Sequence, residues 1–351
     1  MNDLAGSMSA AQSDLAIFVQ QALAYGKQQF ERCPPSEKVD VQVGETSFRL
    51  AESQNDLRSS VDLCLWSGAA SEIETPPFSV YVDYTSWHLR SGFRAPHHHQ
   101  KDLLELNKAL AQIGVKAIYS PEEQRWDIFD PVAGFGVRLQ CGTERSPVWE
   151  KTAPLVHFCN WIALENGKTM LHAASIGTCN SGVLLVGDGG AGKSGTTLGA
   201  LIEGLQSAGD DYTLITNGPD FRAHAIHMSV KQDPSGLERL GLSAEASLNW
   251  QGKAVFRPET QIGHAISTSV PVNALVMPET GAAKARYYPI AAGQVFKTLT
   301  FSSLKQLGSD HKAVFQTCAE LVRSLPCYKL ELSKHNQENV SVLTDILESV
   351  T

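Results

Sequence analysis

Apolar positions at Leu15, Phe18, Val19, Ala22 and Leu23 recur at three- and four-residue intervals, the period of a helix with one buried face. The pattern stops at Cys33-Pro34-Pro35, where two prolines remove backbone donors and bar further helix. Beyond them the period shortens: runs at 41–50, 61–66 and 78–87, rich in Val, Phe, Tyr and Trp, predict strands. A helical pattern at 101–113 interrupts them, and short runs at 116–119, 125–129 and 135–139 predict more strands. Residues 1–146 therefore read as a strand-rich N-terminal domain with a leading helix.

The texture changes at Pro147. Residues 148–166 predict an amphipathic helix, and from there to Asp220 the order is strand, strand, glycine-rich loop, helix, strand, the alternation of an α/β (α+β) domain. The run 169–176 predicts one strand beside 183–186. Farther on, 274–277 and 285–290 predict strands around a turn at 279–281, and the tail predicts helices near 309–324 and 338–349 with a strand at 328–332. Residues 147–351 thus form the expected second domain, and 351 residues at about 150 per domain agree with two.

Charge and composition remove function classes. Thirty-seven acids against twenty-nine bases give a formal charge of -8, which repels a polyanion, and no local basic patch offsets it. No nucleic-acid partner is expected. No stretch approaches the ~20 apolar residues of a bilayer span, so no membrane partner is expected either. Residues 1–16 lack the basic start and apolar run of a secretory leader. Seven scattered cysteines without a C-x-x-C pair suit reduced thiols and a cytoplasmic protein. His97-His98-His99 lacks zinc-ligand spacing, and His157 reads as a packing or surface residue.

The chemistry concentrates in Gly187-Asp188-Gly189-Gly190-Ala191-Gly192-Lys193-Ser194, followed by Gly195, an uninterrupted match to G-x-x-x-x-G-K-[ST]. Such a match arises by chance in roughly one chain of this length in a hundred. Here it also follows an aliphatic strand pattern, Val183-Leu184-Leu185-Val186, and precedes a helical one, Leu198, Leu201, Ile202 and Leu205. Glycines let successive N–H groups point at phosphate oxygens, and the helix offers its positive end to the same anion. Lys193 would bridge the β and γ phosphates of ATP, and Ser194 would give its hydroxyl to Mg²⁺. Seventeen residues after Lys193 stand Asp210 and Asp211, adjacent carboxylates that repel unless a cation or proton sits between them. One could hold Mg²⁺ and the other accept a proton.

Three elements, His172-Ala173-Ala174, the loop Gly187 to Ser194, and Gly209-Asp210-Asp211-Tyr212, together resemble the HPr kinase family and its P-loop relatives. The resemblance covers residues 148–220 and implies a core akin to phosphoenolpyruvate carboxykinase, with the acidic pair close behind the loop. It accounts for the want of four apolar residues ending in Asp, which an ordinary P-loop ATPase needs; 274–277 followed by Pro278-Glu279 is the nearest approach. Carried over by residue, it implies that Lys193 and the loop amides hold nucleotide phosphates, Ser194 and Asp211 bind Mg²⁺, Asp210 is general base, and His172 supports the acidic pair. The acceptor implied is a hydroxyl, a serine above all, on a peptide, small protein or small molecule; a homo-oligomer is compatible with it. The family's Glu-Ile-Arg-Gly-Leu-Gly signature has only a distant echo in Glu238-Arg239-Leu240-Gly241-Leu242, so dephosphorylation and HPr as acceptor do not carry over. The rivals are a nucleotide-binding switch without catalysis and a P-loop ATPase. A transfer site also wants a cation opposite Lys193, and Lys253, Arg257 and Arg286 are the candidates in residues 220–310.

Overall fold

A computed structural model describes residues 10–54, 56–69, 76–84, 110, 112–120, 123–140, 150–216, 218, 220–243, 248–249, 251–307 and 311–351. The histidine triplet at 97–99 and nearly all of the helix expected at 101–113 lie outside them. The chain is mixed α and β and divides into two units. The first holds residues up to Val41, Ser47–Arg58 and Ser67–Pro147; the second holds Gln42–Thr46, Ser59–Trp66 and Val148–Thr351.

In the first unit the helix Ala10–Arg32 turns Leu15, Phe18, Val19 and Ala22 into a core with Tyr81, Trp126, Phe135 and Val137, as its periodicity predicts. Phe18 and Trp126 meet with ring centroids 5.1 Å apart. The neighbouring strands run Thr46–Glu52, Phe78–Asp83, Phe135–Gln140, Arg125–Asp130 and Lys116–Ser120 across the sheet. Buried Arg138 grips buried Asp127 with two parallel bonds of 2.6 and 2.9 Å, the paired geometry a desolvated charge requires.

Within the second unit a five-stranded sheet runs Arg286–Pro289, Cys327–Leu332, Ala274–Thr280, Gly182–Leu185, Ala174–Gly177. Its middle three strands are parallel. Period-two alternation gives it two apolar faces. Val183 and Leu185 join Ala200 of the helix Lys193–Ile202 and Leu343, Ile346 and Leu347 of the helix Asn336–Ser349. Leu184 and Val186 face the other way, into a core with Val295 and Leu299 of the helix Ala292–Leu307 and Val314, Cys318 and Leu321 of the helix His311–Ser324. Beside this sheet lies a four-stranded antiparallel one, Ser269–Pro271, Arg222–His224, Thr213–Thr216, Lys168–Leu171, and a two-stranded pair, Val230–Gln232 with Ala254–Phe256.

Several expectations need correction. The run 61–66 is not a strand: residues Arg58–Cys64 are helical, and buried Leu57, Val61, Cys64 and Leu65 follow helical spacing once Cys64 counts as apolar. Residues 148–166 are not one amphipathic helix but a short 3₁₀ turn, Glu150–Thr152, and a helix, Val156–Glu165, buried at seven positions. The run 169–176 is two strands in two sheets, Lys168–Leu171 and Ala174–Gly177, and only the second pairs with the loop strand. The helix Ala292–Leu307 was not anticipated.

Candidate functional site

The motif folds as its residue types require: strand Gly182–Leu185, loop, helix Lys193–Ile202. Gly190 at φ +87° and Gly192 at φ +102° take the left-handed backbone that bends the loop, a region L side chains rarely enter. Asp188, Gly189 and Gly190 are exposed at the apex. Lys193 is buried and its Nζ donates back to the carbonyls of Gly187 and Asp188, the second at 3.4 Å. Burial lowers its pKa, against the pull of Asp211, Asp210 and Asp188.

Strand pairing delivers His172. Leu171 stands opposite Thr213 in the antiparallel ladder, so the next residue, at the break between sheets, meets the segment just before the Thr213–Thr216 strand. His172 Nε2 lies 3.1 Å from Asp211 Oδ1 and 3.3 Å from Gln306 Nε2, while Gln306 Oε1 accepts the Tyr212 hydroxyl at 2.6 Å. The turn carrying the acids is pinned to the edge strand of the larger sheet: Ala208 N donates to Ser175 Oγ at 2.9 Å, and Gln206 and Gly177 exchange backbone bonds. Gly209, at φ +143°, makes the tight entry.

The two carboxylates have different environments. Asp210 is buried; its Oδ2 accepts the Lys231 amide at 3.1 Å, and the Ser194 hydroxyl is near enough to favour its charged form. Burial, then the Asp211 charge, push its pKa up to about 6. Asp211 is a quarter exposed, with Oδ2 2.7 Å from Lys231 Nζ and Oδ1 on His172. Burial alone would raise it, but Lys231 and His172 outweigh that and hold it well below the usual carboxylate range. The separation of the pair's pKa values is the physical answer to two like charges in one place.

Lys231 is the site residue that sequence reading missed. It sits on the strand Val230–Gln232, which lies close to the loop helix: a Cβ at Gly195 would be 3.2 Å from Gln232 Nε2. Of the cations expected in residues 220–310, Lys253 is near enough to act electrostatically on Lys193. Arg257 instead donates to the carbonyls of Asp62, Leu63 and Leu65 at 2.6, 3.2 and 3.0 Å, and Arg286 pairs at the surface with Glu331 at 2.6 Å. In this fold both guanidinium groups are engaged with those partners. His157 stacks on Trp161, 6.0 Å between centroids.

Among the described residues no cluster of three His, Cys, Asp or Glu side chains stands ready for a metal. The Ser194 hydroxyl is a hard oxygen that suits Mg²⁺, a cation that takes few protein ligands and completes its shell with phosphates and water. Among the described residues no helix is long and apolar enough to cross a membrane. No protein-family model and no curated protein matches the chain.

Proposed function

We propose that this chain is an ATP- and Mg²⁺-dependent phosphotransferase of the HPr kinase-like type, moving the γ-phosphoryl group to a hydroxyl of a peptide, small protein or small molecule. One observation carries the reading: the phosphate loop, its Ser194 hydroxyl and a buried carboxylate of raised pKa meet beside a second carboxylate locked to a lysine. A loop strand set between an antiparallel edge strand and a parallel neighbour also supports a phosphoenolpyruvate carboxykinase-like core. The six cysteines among the described residues are free thiols, which supports a cytoplasmic setting.

The loop amides and Lys193 bind the phosphates, and Ser194 is the protein's own donor to Mg²⁺. When bound, the metal supplies positive charge against the phosphate oxygens. The acceptor oxygen attacks the γ-phosphorus, the bond from that phosphorus to the bridging oxygen breaks, ADP departs, and the acceptor's proton passes to Asp210. A carboxylate with a pKa of about 6 is ionised at neutral pH yet more basic than an ordinary aspartate, which suits that role. The resemblance gives Asp211 to the metal, but both its oxygens are engaged. Here it holds Lys231 beside the transferring group and orients His172. Phosphoryl transfer asks mostly for such positioning and charge.

Lys193→Ala tests the reading directly. With γ-labelled ATP and hydroxyl-bearing acceptors, the parent protein transfers label and the variant loses transfer at least a hundredfold while keeping its circular dichroism. Label released only as free phosphate would make the protein an ATPase. Parental transfer by the variant would refute the assignment.

A further inference from the structure

On the flank of the phosphate loop opposite the acids lies a groove of about 520 Å³, a volume typical of small-ligand sites, lined by Asp188, Met277, Ile290, Lys297, Phe301 and Lys329 among others. Sheet order sets this arrangement. The acid-bearing turn is tied to the edge strand Ala174–Gly177 on one side of the loop strand, whereas Met277 and Lys329 lie on the parallel strands of the other side. Met277 and Ile290 pack on the core and give the groove an apolar floor. The helix Ala292–Leu307 buries Val295 and Leu299 and turns Lys297 and Phe301, four residues apart, toward the groove. Phe301 is 64% exposed, a large apolar ring that contributes nothing to either core. Lys329 is already paired with Glu279 at 3.0 Å, while Lys297 is exposed.

We infer that this groove receives the nucleoside of the donor nucleotide, its base stacked on Phe301, its ribose hydroxyls near Asp188 and its innermost phosphate facing Lys297. The inference rests on the proposed phosphate-loop function. An acceptor hydroxyl must reach Asp210, so the acceptor occupies the acid flank and leaves the opposite one to the donor. A flat π-face, a cation and a carboxylate in one groove are the groups that recognise a base, a phosphate and a ribose.

The test is calorimetric titration of the full chain, in Mg²⁺ buffer, with ATP and with inorganic tripolyphosphate, which lacks the nucleoside. Phe301→Ala should weaken ATP about tenfold or more, as loss of an aromatic stack does, and leave tripolyphosphate within twofold. Phe301→Trp should keep ATP affinity and show tryptophan quenching by ATP but not by tripolyphosphate. Lys193→Ala should weaken both ligands. If Phe301→Ala leaves ATP binding within twofold, or weakens both ligands alike, the nucleoside site is wrong and the phosphate loop stands. If Lys193→Ala leaves both ligands unchanged, the phosphate-loop reading itself falls.

Discussion

At the residue scale the decisive asymmetry is between Asp210 and Asp211. Asp210 is raised in the fold from its ordinary 3.8 to about 6, so its share of stability is present below pH 4 and is lost as pH rises through 6. Asp211 is depressed, so its share is present above pH 4 and is lost only in stronger acid. Urea titrations between pH 4 and 6 should therefore show a falling contribution that Asp210→Asn removes, and transfer should decline below about pH 6 as the base takes up its proton. A transfer rate flat from pH 7 down to 5 would exclude Asp210 as base. Lys231→Met leaves a largely buried carboxylate without its ammonium and should cost about 3 kcal/mol in denaturant unfolding, with transfer lost at least a hundredfold. Adding Asp211→Asn should recover much of that stability and none of the transfer; strict additivity would mean the ion pair is not what Lys231 provides.

At the scale of elements, the Asn336 side chain lies directly against the loop helix at Gly199. A Cβ on Gly199 would collide with the Asn336 side chain, which starts the helix Asn336–Ser349 and donates to the Gly199 carbonyl. Gly199→Ala should destabilise the protein by about 1 kcal/mol despite alanine's better helix propensity, because the Asn336 amide must swing away and give up its bond to the Gly199 carbonyl. Asn336→Ala should make room, and the double variant should regain most of the lost melting temperature; no rescue would point to a different obstacle. The sequence predicts the loop helix from Leu198 and Leu201, but not that its other face must lie flush on a neighbour. The split of 169–176 has the same origin. Period and composition suit one strand throughout, and only competition between two sheets breaks it at His172.

For the molecule as a whole, the second unit borrows chain from its N-terminal neighbour in sequence. Arg257 caps the carbonyls of Asp62, Leu63 and Leu65, Met228 N donates to the Cys64 carbonyl at 2.7 Å, and Lys168 Nζ meets Glu45 at 2.8 Å. A fragment starting at residue 148 leaves these groups without partners. It should unfold at lower urea concentration than the full chain, by several kcal/mol if the charge-assisted bonds of Arg257 contribute their usual ~1.5–3 each. Coincident transitions would show that the borrowed segments add nothing.

What the sequence determined by itself is the contiguous chemistry. The loop from Gly187 to Ser194 is legible because glycine positions dictate its backbone locally, and the flanking strand and helix because period-two and period-3.6 patterns are local too. Asp210 and Asp211 could be named as a pair, since their neighbourhood in sequence guarantees it. Which of them would be buried and which held by Lys231 and His172 was decided by strand register, which brings the Val230–Gln232 strand beside the acid-bearing turn. Lys231, Arg257 and Arg286 look alike as basic residues on short apolar runs. Only the partners that folding brings from distant segments set Lys231 against Asp211, Arg257 against backbone carbonyls and Arg286 against Glu331.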